Sequence, residues 1–310
     1  MTKTKSVLML TSALWSISAL GFSFAATGHQ LVALICEHEL TSKTRAAIGT
    51  ILPTENLPEI SPWADLERQH DPSTSGWHYI DYNIKTGKVE AQHANDPTIL
   101  DAISSNSVAL RSAESTETRQ RALKFLVHFM ADLHQPLHCA DNNDAGGNKT
   151  FVSLRGEEIR LHRVWDGPVV ERMIAERYPG KSLPEVAAIL HSNYAAKKAD
   201  FTSGTIEDWA RESFEIARDH VYRLPPPAAE GKPPEIDGDY MRASEAIIEK
   251  RLALAGLRLA HVLNSLLDPD YRPTTDALGL GSKRAHAAPV EKVSAKKVGS
   301  QGALVPAGVH

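Results

Sequence analysis

The sequence predicts an all-α protein with at most one small β-hairpin, and three observations carry that prediction. Apolar residues recur at three- and four-residue spacing through ALKFLVHFMADL (122–133) and RASEAIIEKRLALAGLRLAHVLNSLL (242–267). Helix-start signals stand at Ser61-Pro62, at Asp96-Pro97 and at Thr205, the last with acids in the following turn and bases toward the end of DWARESFEIARDHVYRL. Only TFVSLRGEEIRL (150–161) alternates like a strand pair, with Arg155-Gly156 as its turn. Of the 310 residues, 42% are apolar and 23% charged, an ordinary globular composition that excludes disorder as the starting expectation. No internal repeat or long central linker divides the chain, which reads as one helical domain over 24–268 with an appendage at each end.

In chain order, the first segment has Lys3 and Lys5 ahead of an apolar run from Val7 to Phe22, then small residues, which is the three-part form of a secretory signal peptide. Thr11, Ser12, Ser16 and Ser18 interrupt the run, and it is short for a bilayer span, so an uncleaved anchor is the weaker reading. Two small-x-small sites compete: Gly21-Phe22-Ser23 releases a chain starting at Phe24, and Ser23-Phe24-Ala25 one starting at Ala26. Removal of residues 1–23 places the protein outside the cytoplasm, secreted or periplasmic, with no stable membrane association. The helices of the domain follow, with the Pro-rich stretch 225–239 as a loop between two long ones. After Asp268 the chain loses its apolar period and becomes rich in Ala, Gly, Lys and Pro, which reads as a flexible tail over 269–310.

The balance of 34 Lys+Arg against 38 Asp+Glu, a net charge of −4, lacks the broad basic surface of a high-affinity duplex binder. Fourteen histidines against two cysteines point instead to imidazole and carboxylate chemistry. Cys36 and Cys139 either form one bridge or remain two buried thiols.

The strongest segment is HFMADLHQPLH. His128 and Asp132 are four apart on one helix face, and Pro136 ends the helix so that His138 can turn back toward them. His162 and Asp166 in LHRVWD repeat the spacing. One such pair alone is ordinarily a surface hydrogen bond or weak ion pair. Two pairs together with His138 point to a metal, and a mixed imidazole and carboxylate set suits zinc.

The string HFMADLHQPLHCADNNDAGGN followed by LHRVWD resembles the single-strand-specific zinc nucleases of the mung-bean type, the S-one/P-one nuclease family. The likeness runs from Gly28-His29 through WADLE, WHYID and WARES to GLRLAHVLN, nearly the whole mature chain. It implies a predominantly helical fold of the phospholipase C and zinc nuclease type, with three zinc ions at the base of a cleft. Residue by residue, it assigns Asp65, His78, His128 and Asp132 to one zinc. His29, a bridging Asp132 and the backbone amine and carbonyl of Phe24 take a second, and His138, His162 and Asp166 the third. The implied activity is hydrolysis of single-stranded DNA and RNA to 5′-phosphorylated products, with 3′-nucleotidase activity, by a monomer using metal-activated water.

Asp81, three residues after His78, matches the carboxylate that orients the attacking water. Arg68 stands where the family commonly has lysine, and either neutralises phosphate charge or pairs with Asp65 one turn away. Asn148 in DAGGN matches the asparagine that hydrogen-bonds the base, and Tyr79 matches a base-stacking aromatic, with core packing as its other reading. Gly146 and Gly147 allow close backbone approach or simply make a turn. His134, two residues from Asp132, points elsewhere and reads as a hydrogen-bond partner. His38, His70, His93, His191, His220, His261, His286 and His310 match no ligand position. Trp63, Trp77, Trp165 and Trp209 read as core.

The family opens its mature chain with Trp-Gly-x-x-Gly-His, whereas here Phe24-Ala25 stands before His29. Release at Phe24 preserves the spacing from the new amine to His29, so Phe24 is the expected mature N-terminus. The extra disulfides of fungal members have no counterpart. A zinc-dependent phospholipase C shares the fold and metal plan, but Asp81, Tyr79 and DAGGN favour the nuclease, because phosphocholine recognition has no use for a base-edge contact. A non-catalytic zinc-binding protein is the third reading; bridging carboxylates argue against it, since structural zinc has four closed ligands.

Overall fold

The computed structural model describes residues 26–90, 95–236, 238–273 and 275–279. Six helices come first: α1 (Ala26–Glu39), α2 (Ser42–Ile51), α3 (Leu57–Ile60), α4 (Trp63–His70), α5 (Ile99–Ser112) and α6 (Thr116–Asp132). A hairpin follows, β1 (Phe151–Leu154) against β2 (Glu157–Arg160), antiparallel with Phe151 opposite Arg160. Six more helices complete the order: α7 (Leu161–Asp166), α8 (Pro168–Arg177), α9 (Leu183–Tyr194), α10 (Lys198–Phe201), α11 (Ile206–Ile216) and α12 (Gly238–Leu267). The fold is the expected one, helical with a single two-stranded sheet among the described residues. Arg155 (φ 56°) and Gly156 (φ 82°) make the hairpin turn, both left-handed as a two-residue hairpin loop requires.

Local chemistry sets the helix starts. Ser115 Oγ accepts from Thr118 N (3.3 Å) ahead of α6, and Thr205 Oγ1 accepts from Asp208 N (3.2 Å) while Asp208 answers to Thr205 N (2.8 Å) ahead of α11. Two expected caps move. Ser61 already ends α3, so its hydroxyl turns back to Pro58 O (2.8 Å) and α4 begins after Pro62. Asp96 yields to Thr98, which is reciprocally tied to Asp101 (Thr98 N to Oδ2, 2.9 Å), and α5 begins two residues later than Asp96-Pro97 implies.

The core forms around α6 and α12. From Leu252 to Leu263 every residue of α12 is buried, and α6 is buried from Leu126 to Asp132. Each fully buried Leu or Phe contributes about 1.5–3 kcal/mol, enough in aggregate to bear polar groups inside. α12 crosses α1 at Gly256, where an added Cβ would lie 2.5 Å from Ile35 Cβ and 3.0 Å from Val32 O. That close crossing places the first turn of α1, with His29, against α6. Trp165 and Trp209 are fully buried, whereas Trp63 and Trp77 are partly exposed and pack edge-on against Phe125 (5.1 and 5.3 Å).

After Ile216 the chain runs as a π-helical stretch, Ala217–Val221, which shifts the register and lets Tyr222 reach Asp144 (2.8 Å). The Pro-rich loop pairs with the hairpin through Ser153 N to Pro234 O (2.7 Å) and Ile236 N to Ser153 O (2.8 Å). Beyond α12, Tyr271 meets His261 (3.2 Å) and Ala277 O accepts from Ile206 N (3.0 Å). Cys36 and Cys139 are two buried thiols without a bridge. The leader, Phe24, His93, His286, His310 and the tail after Gly279 lie outside the described residues. Among the described residues no helix is long and apolar enough to cross a membrane.

Candidate metal centre

Burial of Leu126, Phe129 and Met130 turns the polar positions His128 and Asp132 of α6 into the interior. One turn apart, His128 Nε2 and Asp132 Oδ2 lie 3.1 Å from each other. The remaining groups arrive from elsewhere in the chain. The start of α1 puts His29 Nε2 3.2 Å from Asp132 Oδ1, across 103 positions of sequence. The 3-10 turn Pro72–His78 puts His78 Nδ1 2.9 Å from Asp132 Oδ2. Asp65 of α4 holds Oδ1 3.7 Å from His128 Nε2 and 3.9 Å from His78 Nδ1. The Pro136–Cys139 turn carries His138, whose Nε2 is 3.7 Å from Asp166 Oδ1, and α7 sets His162 Nε2 3.2 Å from Asp166 Oδ2.

Eight residues thus form three sets whose donor atoms lie close enough to share ions: Asp65, His78 and His128; His29, His128 and Asp132; His138, His162 and Asp166. All are buried except His162, which is partly so. His128 falls in two sets because its ring stacks on His29 (centroids 4.0 Å apart), yet one Nε2 binds one ion. The arrangement fits metal on its own terms. Asp65 Oδ1 and His128 Nε2, which face each other at 3.7 Å, are buried with no hydrogen-bond partner, a cost of a few kcal/mol that a cation removes. Three rings are aimed by backbone carbonyls that accept from Nδ1: Ser61 for His128 (2.8 Å), His78 for His138 (2.9 Å) and Gly146 for His162 (2.6 Å). Each then presents Nε2 to the cluster, the usual orientation of metal-binding histidines.

Burial alone would push the carboxyl of Asp132 up, but the imidazoles of His128 and His138 outweigh it and hold the group well below the usual carboxylate range. Asp166 behaves likewise, with His162 and His138 overcoming burial. Both are anions at neutral pH, as metal ligation requires.

The other expected site residues lie around this cluster. Tyr79 is 43% exposed beside buried His78, so the core-packing reading is wrong for it. Burial first, then the negative charges of Asp81 and Asp96, push its phenol up. Arg68 reaches Asp65 Oδ1 (3.5 Å), the helix-face pairing. Asn148 donates to Ala145 O (3.0 Å) within the Asp141–Thr150 loop. That loop is wired tightly: Asp144 accepts from Gly147 N (2.9 Å), Thr150 Oγ1 (2.5 Å) and Tyr222 OH (2.8 Å). Asn143, Ala145, Gly146 and Gly147 all have positive φ, and a Cβ on Gly146 would meet Leu137 O at 2.8 Å. Close approach, more than a simple turn, explains that glycine.

His134 takes no part in the three sets: Nδ1 donates to Met130 O (2.8 Å), and burial with Arg251 and Arg258 nearby keeps the ring neutral. His191, His220 and His261 are held by Glu39 (2.7 Å), Ser244 (3.0 Å) and Tyr271 (3.2 Å). His38 stacks on His191, and His70 bonds Leu66 O (2.9 Å). Sequence reasoning missed Gln135, whose amide donates to Asp166 Oδ1 (2.8 Å) while its carbonyl accepts from Leu137 N (2.5 Å), tying the turn to the third set. Its place inside HQPLH was the available signal.

A helical domain that gathers five imidazoles and three carboxylates into one cluster has the donor set of a metal-dependent hydrolase. The profile described as S1/P1 Nuclease matches residues 24–268, and the chain belongs to that family of metal-dependent nucleases. It is 32% identical over 268 residues to Endonuclease 3 of Arabidopsis thaliana, covering 77% of this chain and 87% of the relative. It is 26% identical over 277 residues to Nuclease S1 of Aspergillus oryzae (82% and 95%) and 28% identical over 271 residues to Nuclease P1 of Penicillium citrinum (78% and 97%). The protein is accordingly a nuclease, a hydrolase of the endonuclease kind.

Proposed function

We propose that this nuclease is zinc-dependent, cuts single-stranded DNA and RNA to 5′-phosphorylated products, removes phosphate from 3′-nucleotides, and works as a monomer in the secreted or periplasmic space. The observation that carries the reading is the buried triple set of imidazoles and carboxylates, with the unpartnered Asp65 Oδ1 and His128 Nε2 turned into it. Asp65, His78, His128 and Asp132 would hold one zinc, His29 and Asp132 with the backbone of Phe24 a second, and His138, His162 and Asp166 the third. Bound zinc supplies Lewis-acid charge that neutralises phosphate and acidifies water.

The chain's own groups do the rest. Asp81 orients the attacking water and accepts its proton as the phosphorus is approached in line. Tyr79, exposed at the edge of the cluster, stacks on a base without reading its identity. Arg68 exchanges its Asp65 contact for a phosphate oxygen as charge builds. Asn148 holds a base edge from a loop whose backbone is fixed by Asp144. The family match beginning at residue 24 supports Phe24 as the first mature residue, residues 1–23 as leader and 24–268 as the nuclease domain, with 269–310 as tail.

One assay set tests the reading. Purified mature protein is offered single-stranded DNA, RNA, a 3′-mononucleotide and phosphatidylcholine, with zinc and with chelator. Turnover of the first three that chelator abolishes is expected. Turnover of lipid alone would replace the reading with a phospholipase, and inactivity toward all four with a zinc-binding protein. N-terminal sequencing that found Ala26 in fully zinc-loaded secreted protein would remove the role of Phe24.

A further inference from the structure

Helix α6 must stop immediately after Asp132 and reverse within four residues to deliver His138. A helix that ends in the interior leaves carbonyls of its last turn without helical partners and without water. Here the amides of His134 and Gln135 take Ala131 O (2.9 Å) and Asp132 O (3.0 Å), and side chains take Met130 O and the carbonyls of the turn that follows. Leu133 O accepts from Ser213 Oγ (2.5 Å) and from Cys139 Sγ (3.5 Å). His134 O accepts from Arg251 Nε (3.2 Å), and Met130 O from His134 Nδ1 (2.8 Å). Since Nδ1 carries the hydrogen, His134 Nε2 is the acceptor for Arg258 NH1 (3.0 Å).

Both guanidiniums converge on one carboxylate. Arg251 NH1 reaches Glu212 Oε2 (2.8 Å), and Arg258 grips Glu212 with two parallel bonds of 2.7 Å each while its Nε donates to Phe201 O (2.7 Å). The Arg251 and Arg258 side chains are 3% and 2% exposed, and Glu212 is 41% exposed. Two buried cations sharing one half-exposed anion is a costly arrangement. Desolvation costs several kcal/mol per ion, and an apolar packing of α11 on α12 would be at least as stable. Stability is therefore weak grounds for it, and one contact from each arginine, Arg251 Nε to His134 O and Arg258 NH1 to His134 Nε2, ends on the turn between Asp132 and His138, beside Arg251 to Ser213 Oγ (2.6 Å) and Arg258 to Phe201 O.

We propose that Glu212, Arg251, Arg258 and His134 form a positioning assembly that fixes the Leu133–Gln135 turn, and through it sets Asp132 and His138 for metal. The inference rests on the zinc reading above. None of the four side chains belongs to the metal sets, and the assembly acts through the two ligands.

The test measures zinc bound per folded chain across a series of zinc-buffered dialyses, on the full mature protein, for wild type, Glu212→Gln, His134→Asn and Arg177→Gln. Glu212→Gln leaves both guanidiniums facing a neutral group. His134→Asn keeps a donor near Met130 O but removes the acceptor for Arg258. Both are expected to weaken zinc binding by about 10- to 100-fold, the usual effect of losing a group that orients a ligand. Turnover should fall with occupancy and return in excess zinc, while KM for a dinucleotide stays within about twofold. Arg177→Gln breaks an ion pair to Glu249 on the same long helix (3.0 Å) without touching the turn, and its zinc affinity should match wild type. Wild-type zinc affinity in both Glu212→Gln and His134→Asn, each folded by circular dichroism, would overturn the assembly. If one variant does not fold, the other decides. Wild type that bound no zinc would instead overturn the reading on which the assembly rests.

Discussion

Ring nitrogens of His29, His78 and His128 lie 3.2, 2.9 and 3.1 Å from the carboxylate of Asp132, so its two oxygens are the point at which separate parts of the chain meet. Replacing it by Asn removes the negative charge that balances those imidazoles. Asp132→Asn is expected to lower metal content and to cut turnover by about a hundredfold or more, measured as zinc per chain beside initial rates. Three bound zincs with normal turnover would refute the bridging role proposed for it. A second residue-scale prediction concerns stability away from the site. His261 is buried, donates Nε2–H to Thr275 O (3.3 Å) and accepts Tyr271 OH at Nδ1 (3.2 Å), so burial holds its pKa below the ordinary value and the ring neutral. The unfolded chain takes a proton near pH 6.5 and the folded one only at lower pH. Its contribution is therefore full above about pH 6.5 and is lost as pH falls toward the folded value. Melting temperature measured from pH 8 to 5 should fall on the acid side, and His261→Asn should flatten that slope. At this scale the sequence was informative wherever two residues shared a helix face. His128 with Asp132 and His162 with Asp166 end 3.1 and 3.2 Å apart as their four-residue spacing requires. Whether Tyr79 lay in the core or at the surface depended on which neighbours covered it, and no local pattern records that.

Two glycines show how the elements carry the site. Gly256 lets α12 and α1 cross closely, and Ile35 Cβ sits where a side chain would begin (2.5 Å). Ile35 Cβ is fixed to the backbone, so relief requires the helices to part. Gly256→Ala is expected to cost about 1–3 kcal/mol in denaturant unfolding of the metal-free protein and to displace His29. Unchanged stability would show that the crossing is looser than described. Gly146 has φ 59° and faces Leu137 O at 2.8 Å, while its own carbonyl aims His162 (2.6 Å). Gly146→Ala should strain the loop by about 1–3 kcal/mol and selectively reduce metal at the His138, His162 and Asp166 set, read as loss of one ion per chain. Helices, hairpin and the Thr205 cap were legible because periodicity and capping are local. The Ser61 and Asp96 caps were misplaced because competing local partners, Pro58 O for Ser61 and the Thr98–Asp101 box for α5, decide between neighbouring start sites. The π-helical stretch before Tyr222 had no signal in apolar spacing, since its register serves Asp144 in another part of the chain.

Over the whole molecule a net charge of −4 gives no general attraction for phosphate, and ions held by the cluster would place positive charge where phosphate must bind. The same ions should tie α1, α4, α6, α7 and the two turns bearing His78 and His138 together. With free zinc about a thousandfold above Kd, binding to the folded state alone stabilises it by about 4 kcal/mol per site. At roughly 2–4 °C per kcal/mol for a chain of this size, chelation should lower the melting temperature by about 10 °C or more, and zinc should restore it. A melting curve indifferent to chelator would mean that the cluster holds no ion. By itself the sequence determined the helical class, the single hairpin, the two helix-spaced ligand pairs and the family, because each is written in local spacing or in ordered strings of residues. Only the tertiary structure decided that His29 meets Asp132 across 103 positions, and that two buried arginines of α12 hold the turn beyond α6. The physical reason is that hydrophobic periodicity tells which face of a helix is buried but not which other face it meets. That choice is made by close packing of the whole core, at positions such as Gly256, and by the need to pair every polar group the core encloses.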